Sequence, residues 1–170
     1  VYLYGQRGIA RSHYPKVHDQ FHYVLGAKYF DEVGYLDFYE CVVVADGGER
    51  IPGKAKMRDL RSYKKVRVSR VRRRAKKRCR KAFTPERWEA FKTDIANVGR
   101  QMRLKRLILD HGYNGTPTHT FFASALANTM PLTNTTMHLF ALVDVWAICG
   151  MMVMVTWAFR CTLRAAYEAP

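Results

Sequence analysis

The sequence predicts a mainly α membrane protein with amphipathic extramembrane helices, an irregular basic loop and one C-terminal transmembrane helix. Three observations lead there. Met137 to Phe159 is an almost unbroken apolar run. Two stretches further upstream repeat apolar residues at helical spacing. Between those two stretches, residues 50–82 are dominated by Lys and Arg.

The apolar run is 23 residues long. As a helix it reaches about 34 Å, enough for a hydrocarbon core of roughly 30 Å. Trp146 and Trp157 lie within it, Asp144 is its only acid, and Arg160 and Arg164 follow it. Length and flanking arginines favour a bilayer over the buried core helix of a soluble protein. An acid in such a span is costly and points to a packing contact with a neighbouring helix. The arginines on the short flank suggest a cytoplasmic C-terminal side. Residues 1–136 are then extracytoplasmic despite their basic load, because long loops cross largely regardless of charge.

Upstream, residues 1–17 show no period and read as loop. From Val17 to Val33, Phe21, Leu25, Tyr29 and Val33 recur every four residues, and Gly34 is a suitable helix stop. Cys41 to Ala45 suits either a short strand or the end of a second helix, and Asp46-Gly47-Gly48 reads as a turn. Thr84-Pro85-Glu86 is a helix start, followed by a stripe of Trp88, Phe91, Ile95, Val98 and Met102 that predicts an amphipathic helix to about Leu109. Thr118 to Met130 is apolar and helix-compatible but too short to span a bilayer. The expected segments are therefore 1–49 (extramembrane, helical), 50–82 (basic loop), 83–110 (amphipathic helix), 111–136 (loop and short apolar helix), 137–159 (transmembrane helix) and 160–170 (cytoplasmic flank). A start at Val1 and a stop at Pro170 suggest a piece of a longer or processed chain.

The charge is lopsided. The chain holds 29 Lys and Arg against 14 acids, and residues 53–106 alone hold 22 against 4. Within 50–82, Val66, Val68 and Val71 look too sparse to build a core, so an exposed, partly disordered extension is expected. Arg70, Arg72, Arg73, Arg74, Lys76, Lys77, Arg78, Arg80 and Lys81 form a polyanion patch. Nucleic acid is the less favoured partner, because aromatics for base stacking stand only at the margins, at Tyr63 and Phe83. Membrane lipids, or other subunits of a membrane complex, fit better beside a membrane helix. The four cysteines form no CxxC pair and are expected as isolated thiols, with a Cys41–Cys79 disulfide left open.

The stretch His18 to Tyr35 resembles the first extracytoplasmic loop of polytopic GT-C-type membrane glycosyltransferases. In that family an Asp, often followed by Glu, opens an amphipathic helix, and aromatic, small, aromatic and glycine positions follow. Asp19, Tyr23, Ala27, Phe30 and Gly34 match, and Gln20 departs from the pattern. Asp110 to Phe122 is similar to a later loop that leads into a membrane helix, with Pro117 where two prolines are common. Lys28 to Glu40 also looks like a segment of bacterial polytopic membrane proteins. The resemblance implies a bacterial inner-membrane enzyme that takes a sugar from a polyprenyl-phosphate donor. It implies Asp19 as catalytic base, directly or through a divalent metal, and Asp110 as a second catalytic carboxylate. Lys28, Arg100, Arg103, Lys105 and Arg106 would offset the charge of the lipid phosphate.

Two further readings stand beside it. His18 and His22 are four apart on one helical face, a spacing that can ligate zinc. The third ligand is not identifiable from sequence, although His111 and His119 are conceivable. The other reading is a non-catalytic single-span subunit whose basic segment binds lipid headgroups or neighbouring chains.

Overall fold

The computed structural model describes residues 17–168. The loop expected before Val17 lies outside the described residues, as does the Asp144 side chain. A first helical stretch, here α1, runs through Val17–Asp19, a wide π turn at Gln20–Leu25, and Gly26–Lys28. The predicted apolar stripe faces inward: Phe21, Leu25, Tyr29 and Val33 are all buried. The π turn also brings Gln20 and His22 inside, a placement that four-residue periodicity does not anticipate.

Helix α2, Phe30–Ala45, is two helical pieces joined across Gly34, where φ is 52° and ψ −164°. Glycine adopts this backbone at little steric cost. The chain does leave helical geometry at the predicted stop, but it resumes at once. Cys41 to Ala45 is therefore helix, with Phe38, Tyr39, Cys41, Val42 and Val43 buried. The turn after α2 is held by Asp46, whose carboxylate accepts from the backbone N–H groups of Gly48, Arg50 and Ile51.

The basic segment is ordered, which corrects the expectation of an irregular loop. Strands β1, Lys56–Arg58, and β2, Lys65–Arg67, form an antiparallel hairpin with Met57 opposite Val66. The chain then enters helix α3, Val68–Ala82. Val68, Val71, Ala75 and Cys79 are fully buried along one face. Four apolar positions on an inward stripe suffice here because α2 supplies the other half of the contact.

Part of the charge on α3 is also matched. Arg74 and Arg78 both pair with the buried Glu40, and Arg78 and Arg61 pair with Asp37. A Cys41–Cys79 disulfide joins α2 to α3 across 38 residues of sequence. These two cysteines are thus not the isolated thiols that the sequence suggested. Cys149 and Cys161 are free.

Helix α4, Pro85–Gln101, begins as predicted, with the Thr84 hydroxyl accepting from the Arg87 N–H at 3.3 Å. It ends earlier than expected because Met102 is extended (φ −145°, ψ 153°), and a short turn, α5, Leu104–Leu107, follows. Thr116 caps α6, Pro117–Ala127, by accepting from the His119 N–H. Helix α7, Asn134–Glu168, completes the described chain.

Helix α7 is long and apolar enough to cross a membrane. Its candidate span is Asn134–Thr162, 29 residues with mean hydropathy 2.1. It packs on the rest of the fold at its beginning, where Met137, Phe140 and Ala141 are buried. Beyond that point it leaves the fold, and Trp146, Met152, Val153, Trp157 and Phe159 are each more than half exposed. That exposure distinguishes α7 from the core helix of a soluble protein.

A buried ion pair joins α1, α4 and the segment leading into α7. Lys28 Nζ lies 2.8 Å from Asp94 Oδ2, and both side chains are almost fully buried. Asp94 also accepts from the Tyr29 hydroxyl at 2.9 Å and the Leu132 N–H at 2.8 Å, while Lys28 donates to the Met130 carbonyl at 2.8 Å. Arg87 adds bonds to Glu32, Asn128 and the Lys28 carbonyl.

Breaking a buried ion pair by removing one partner typically costs about 3–5 kcal/mol. Asp94→Ala is therefore expected to lower unfolding stability by about that amount, measured by thermal or denaturant unfolding in detergent. The double variant Lys28→Met/Asp94→Leu should recover much of the loss. A loss below about 1 kcal/mol for the single variant would show that the pair is not the clamp described here.

Candidate functional site

Local sequence explains how the site forms. Val17 to His22 places His18 and His22 on one side of α1, and the π turn directs His22 into the core. Opposite them, the loop after α5 is held in place by the hairpin and α2. The Arg58 N–H donates to the Ile108 carbonyl at 2.8 Å, and Arg58 Nε donates to the Leu109 carbonyl at 3.0 Å. The Tyr35 hydroxyl donates to the His111 carbonyl at 2.7 Å. Gly112, at φ 95°, turns the backbone beside Leu60 and Tyr35. These contacts fix the position of Asp110.

The two carboxylates named from sequence are brought to the same imidazole. His18 Nε2 is 2.9 Å from Asp110 Oδ2, and His18 Nδ1 is 3.2 Å from Asp19 Oδ1. His22 is buried behind them. Its Nδ1 lies 2.8 Å from the His18 carbonyl, which can only accept, so Nδ1 carries the hydrogen. The lone pair of neutral His22 is then on Nε2, where the Tyr39 hydroxyl donates at 2.7 Å.

Burial lowers the His22 pKa and keeps this neutral form dominant. Burial raises the Tyr39 pKa, so its hydroxyl stays protonated. For Asp110 burial opposes ionisation. The His111 backbone N–H and the nearby His22 and His18 outweigh it, holding the carboxyl below its ordinary range.

Asp19 also faces a second feature, an open cleft of about 780 Å³. Its lining includes the polar residues Asp19, Gln20, Tyr23, Thr118 and His119. It also includes the apolar residues Phe122 and Leu126 from α6 and Phe140 and Val143 from α7. Gln20 is 8% exposed, and its Oε1 has no hydrogen-bond partner among the described residues. A buried amide oxygen without a partner is costly, and the residue that carries it lines the cleft. Phe121 and Phe122 on α6 are 70% and 66% exposed, so α6 presents an aromatic surface next to the base of the membrane-type helix.

The other residues named from sequence are placed differently. Lys28 is in the core, bonded to Asp94 and Met130, so it is not a phosphate ligand. Its charge is needed to balance a buried carboxylate. Arg100, Arg103, Lys105 and Arg106 are exposed near the end of α4 and on α5, and none lines the cleft. Arg100 donates to Asn97 at 3.2 Å.

The basic patch divides in two. Arg72 donates to the Val43 and Ile51 carbonyls, and Arg74 and Arg78 pair with acids, so these three serve the fold. Arg70, Arg73, Lys76, Lys77, Arg80 and Lys81 are exposed and make no ion pair among the described residues. Arg80 lies over the Trp88 ring at 5.0 Å.

Sequence reasoning missed Tyr39, Gln20 and Asp94. For Asp94 a signal exists: it falls within the apolar stripe of Phe91, Ile95 and Val98, where an acid requires a buried partner. Tyr39 and Gln20 carry no such signal, because only the tertiary fold and the π turn bring them to the site. Comparison of the chain with protein-family models, with curated proteins and with solved structures finds no match.

Proposed function

We propose that this chain is the extracytoplasmic, membrane-anchored part of a glycosyltransferase that uses a polyprenyl-phosphate sugar donor. The observation that carries this is the composition of the cleft, whose lining combines a carboxylate and other polar groups with apolar side chains from α6 and from the first turns of a membrane-type helix. A polyprenyl-phosphate sugar has the same division between a polar head and an apolar tail. Phe122, Leu126, Phe140 and Val143 would follow the lipid. Thr118 and His119 stand in the first turn of α6, the positive end of its dipole, and suit the phosphate.

In this reading Asp19 removes the proton from the acceptor hydroxyl as its oxygen bonds the anomeric carbon. The bond from that carbon to the phosphate oxygen breaks, and the lipid phosphate leaves as an anion. His18, held between Asp19 and Asp110, orients the base. The Cys41–Cys79 disulfide supports an extracytoplasmic location, because such bonds persist in oxidising compartments.

Asp19→Asn keeps the shape of the side chain but removes its basicity. Sugar transfer by detergent-purified protein from labelled polyprenyl-phosphate donors should fall by about 10²- to 10⁴-fold. Expression and membrane insertion should not change. Turnover at the wild-type rate in this variant would rule out Asp19 as the base.

The outward face of α3 favours a second reading, in which the chain is a single-span subunit that holds anionic lipid or an acidic neighbour. Lysines and arginines near an anionic bilayer each contribute about 1 kcal/mol. The triple variant Arg73→Glu/Lys77→Glu/Lys81→Glu should therefore retain markedly less phosphatidylglycerol, counted by native mass spectrometry of the detergent-released protein. An unchanged lipid count would remove this reading.

A further inference from the structure

We propose that His18, His22 and Asp110 form a binding site for one divalent transition-metal cation of the zinc class, with Asp19 as the carboxylate that orients His18. This site meets the lipid cleft at Asp19, which serves both, but it does not rest on the glycosyltransferase reading. Its donor set is two imidazole nitrogens and one carboxylate oxygen, all within 4.8 Å of one another. Donors bound tetrahedrally about 2.0–2.1 Å from zinc are roughly 3.3 Å apart. His18 Nε2 and His22 Nε2 lie 2.9 and 3.8 Å from Asp110 Oδ2, on either side of that spacing.

The surroundings of the three donors fit the same assignment. A metal-binding histidine usually donates its other ring N–H to a carbonyl or carboxylate, which fixes the tautomer and aims the lone pair. Both histidines do this. His22 Nδ1 bonds the His18 carbonyl, and His18 Nδ1 bonds Asp19 Oδ1. Each Nε2 therefore points towards Asp110.

One ligand is anchored in the core, since the His22 side chain is only 2% exposed, whereas His18 and Asp110 are 45% and 38% exposed. The site thus opens to solvent on one side, as in zinc centres that keep a position for water or substrate. The Tyr39 hydroxyl is the competing partner, because it donates to His22 Nε2 at 2.7 Å. A cation takes over that lone pair, so the tyrosine opposes metal binding.

The test is titration of Zn²⁺ into chelator-stripped, detergent-solubilised protein by calorimetry, with Co²⁺ absorption reporting the coordination. One ion per chain is expected. Asp110→Asn and His18→Gln, which alter the partly exposed ligands, should each weaken binding by at least 10-fold. Asp19→Asn should weaken it by about 10- to 100-fold. Tyr39→Phe should tighten binding by about 2- to 10-fold, the equivalent of one ordinary hydrogen bond; a purely structural role for the cluster would not give this gain. Absence of stoichiometric binding, or unchanged affinity in Asp110→Asn, would overturn the proposal. Transfer activity is read separately. If excess Zn²⁺ restores transfer to Asp19→Asn, Asp19 serves the metal rather than acting as the base; metal binding without any transfer would contradict only the enzyme reading.

Discussion

The Lys28–Asp94 pair is the contact on which the rest of the arrangement depends. It is formed away from water, where a lone charge of either sign would be strongly unfavourable. Its bonds reach α1 through Lys28, the α1–α2 junction through Tyr29, α4 through Asp94, and the approach to α7 through Met130 and Leu132. The α1 helix carries His18, Asp19 and His22, while α7 carries part of the apolar wall of the cleft, with α6. One buried pair therefore sets the distance between the polar chemistry and the membrane-type helix.

The basic region has a related logic. A helix with so many cations would be expected to repel itself and stay in water. It folds against α2 because Glu40 and Asp37 accept three of the guanidinium groups of the region, and the disulfide ties the two helices together. On α3, Arg70, Arg73, Lys76, Lys77, Arg80 and Lys81 face outward. The same segment thus has a structural face and an electrostatic face, and only the second is free to meet a partner.

Features set by neighbours in the chain were legible in the sequence. The capped start of α4, the buried stripe of α1, the break at Gly34 and the apolar length of α7 all follow from local pattern. The ordered basic helix was not legible, since its stability depends on acids in α2 and on a cysteine 38 residues away. Lys28 was mistaken for a phosphate ligand because its partner Asp94 is distant in sequence. The link between Asp19 and Asp110 through His18 was hidden for the same reason, although both acids were singled out. The π turn, which buries His22 and Gln20, has no clear mark in the composition.

The most direct measurement is photocrosslinking with a polyprenyl phosphate that carries a photoactivatable group in its first isoprene units. The labelled peptides would be mapped by mass spectrometry. Labelling concentrated on Phe122, Leu126, Phe140 and Val143, and competed by unmodified polyprenyl phosphate, is the expected result. Labelling spread along the exposed length of α7 around Met152 to Phe159, without competition, would contradict a specific lipid cleft beside Asp19.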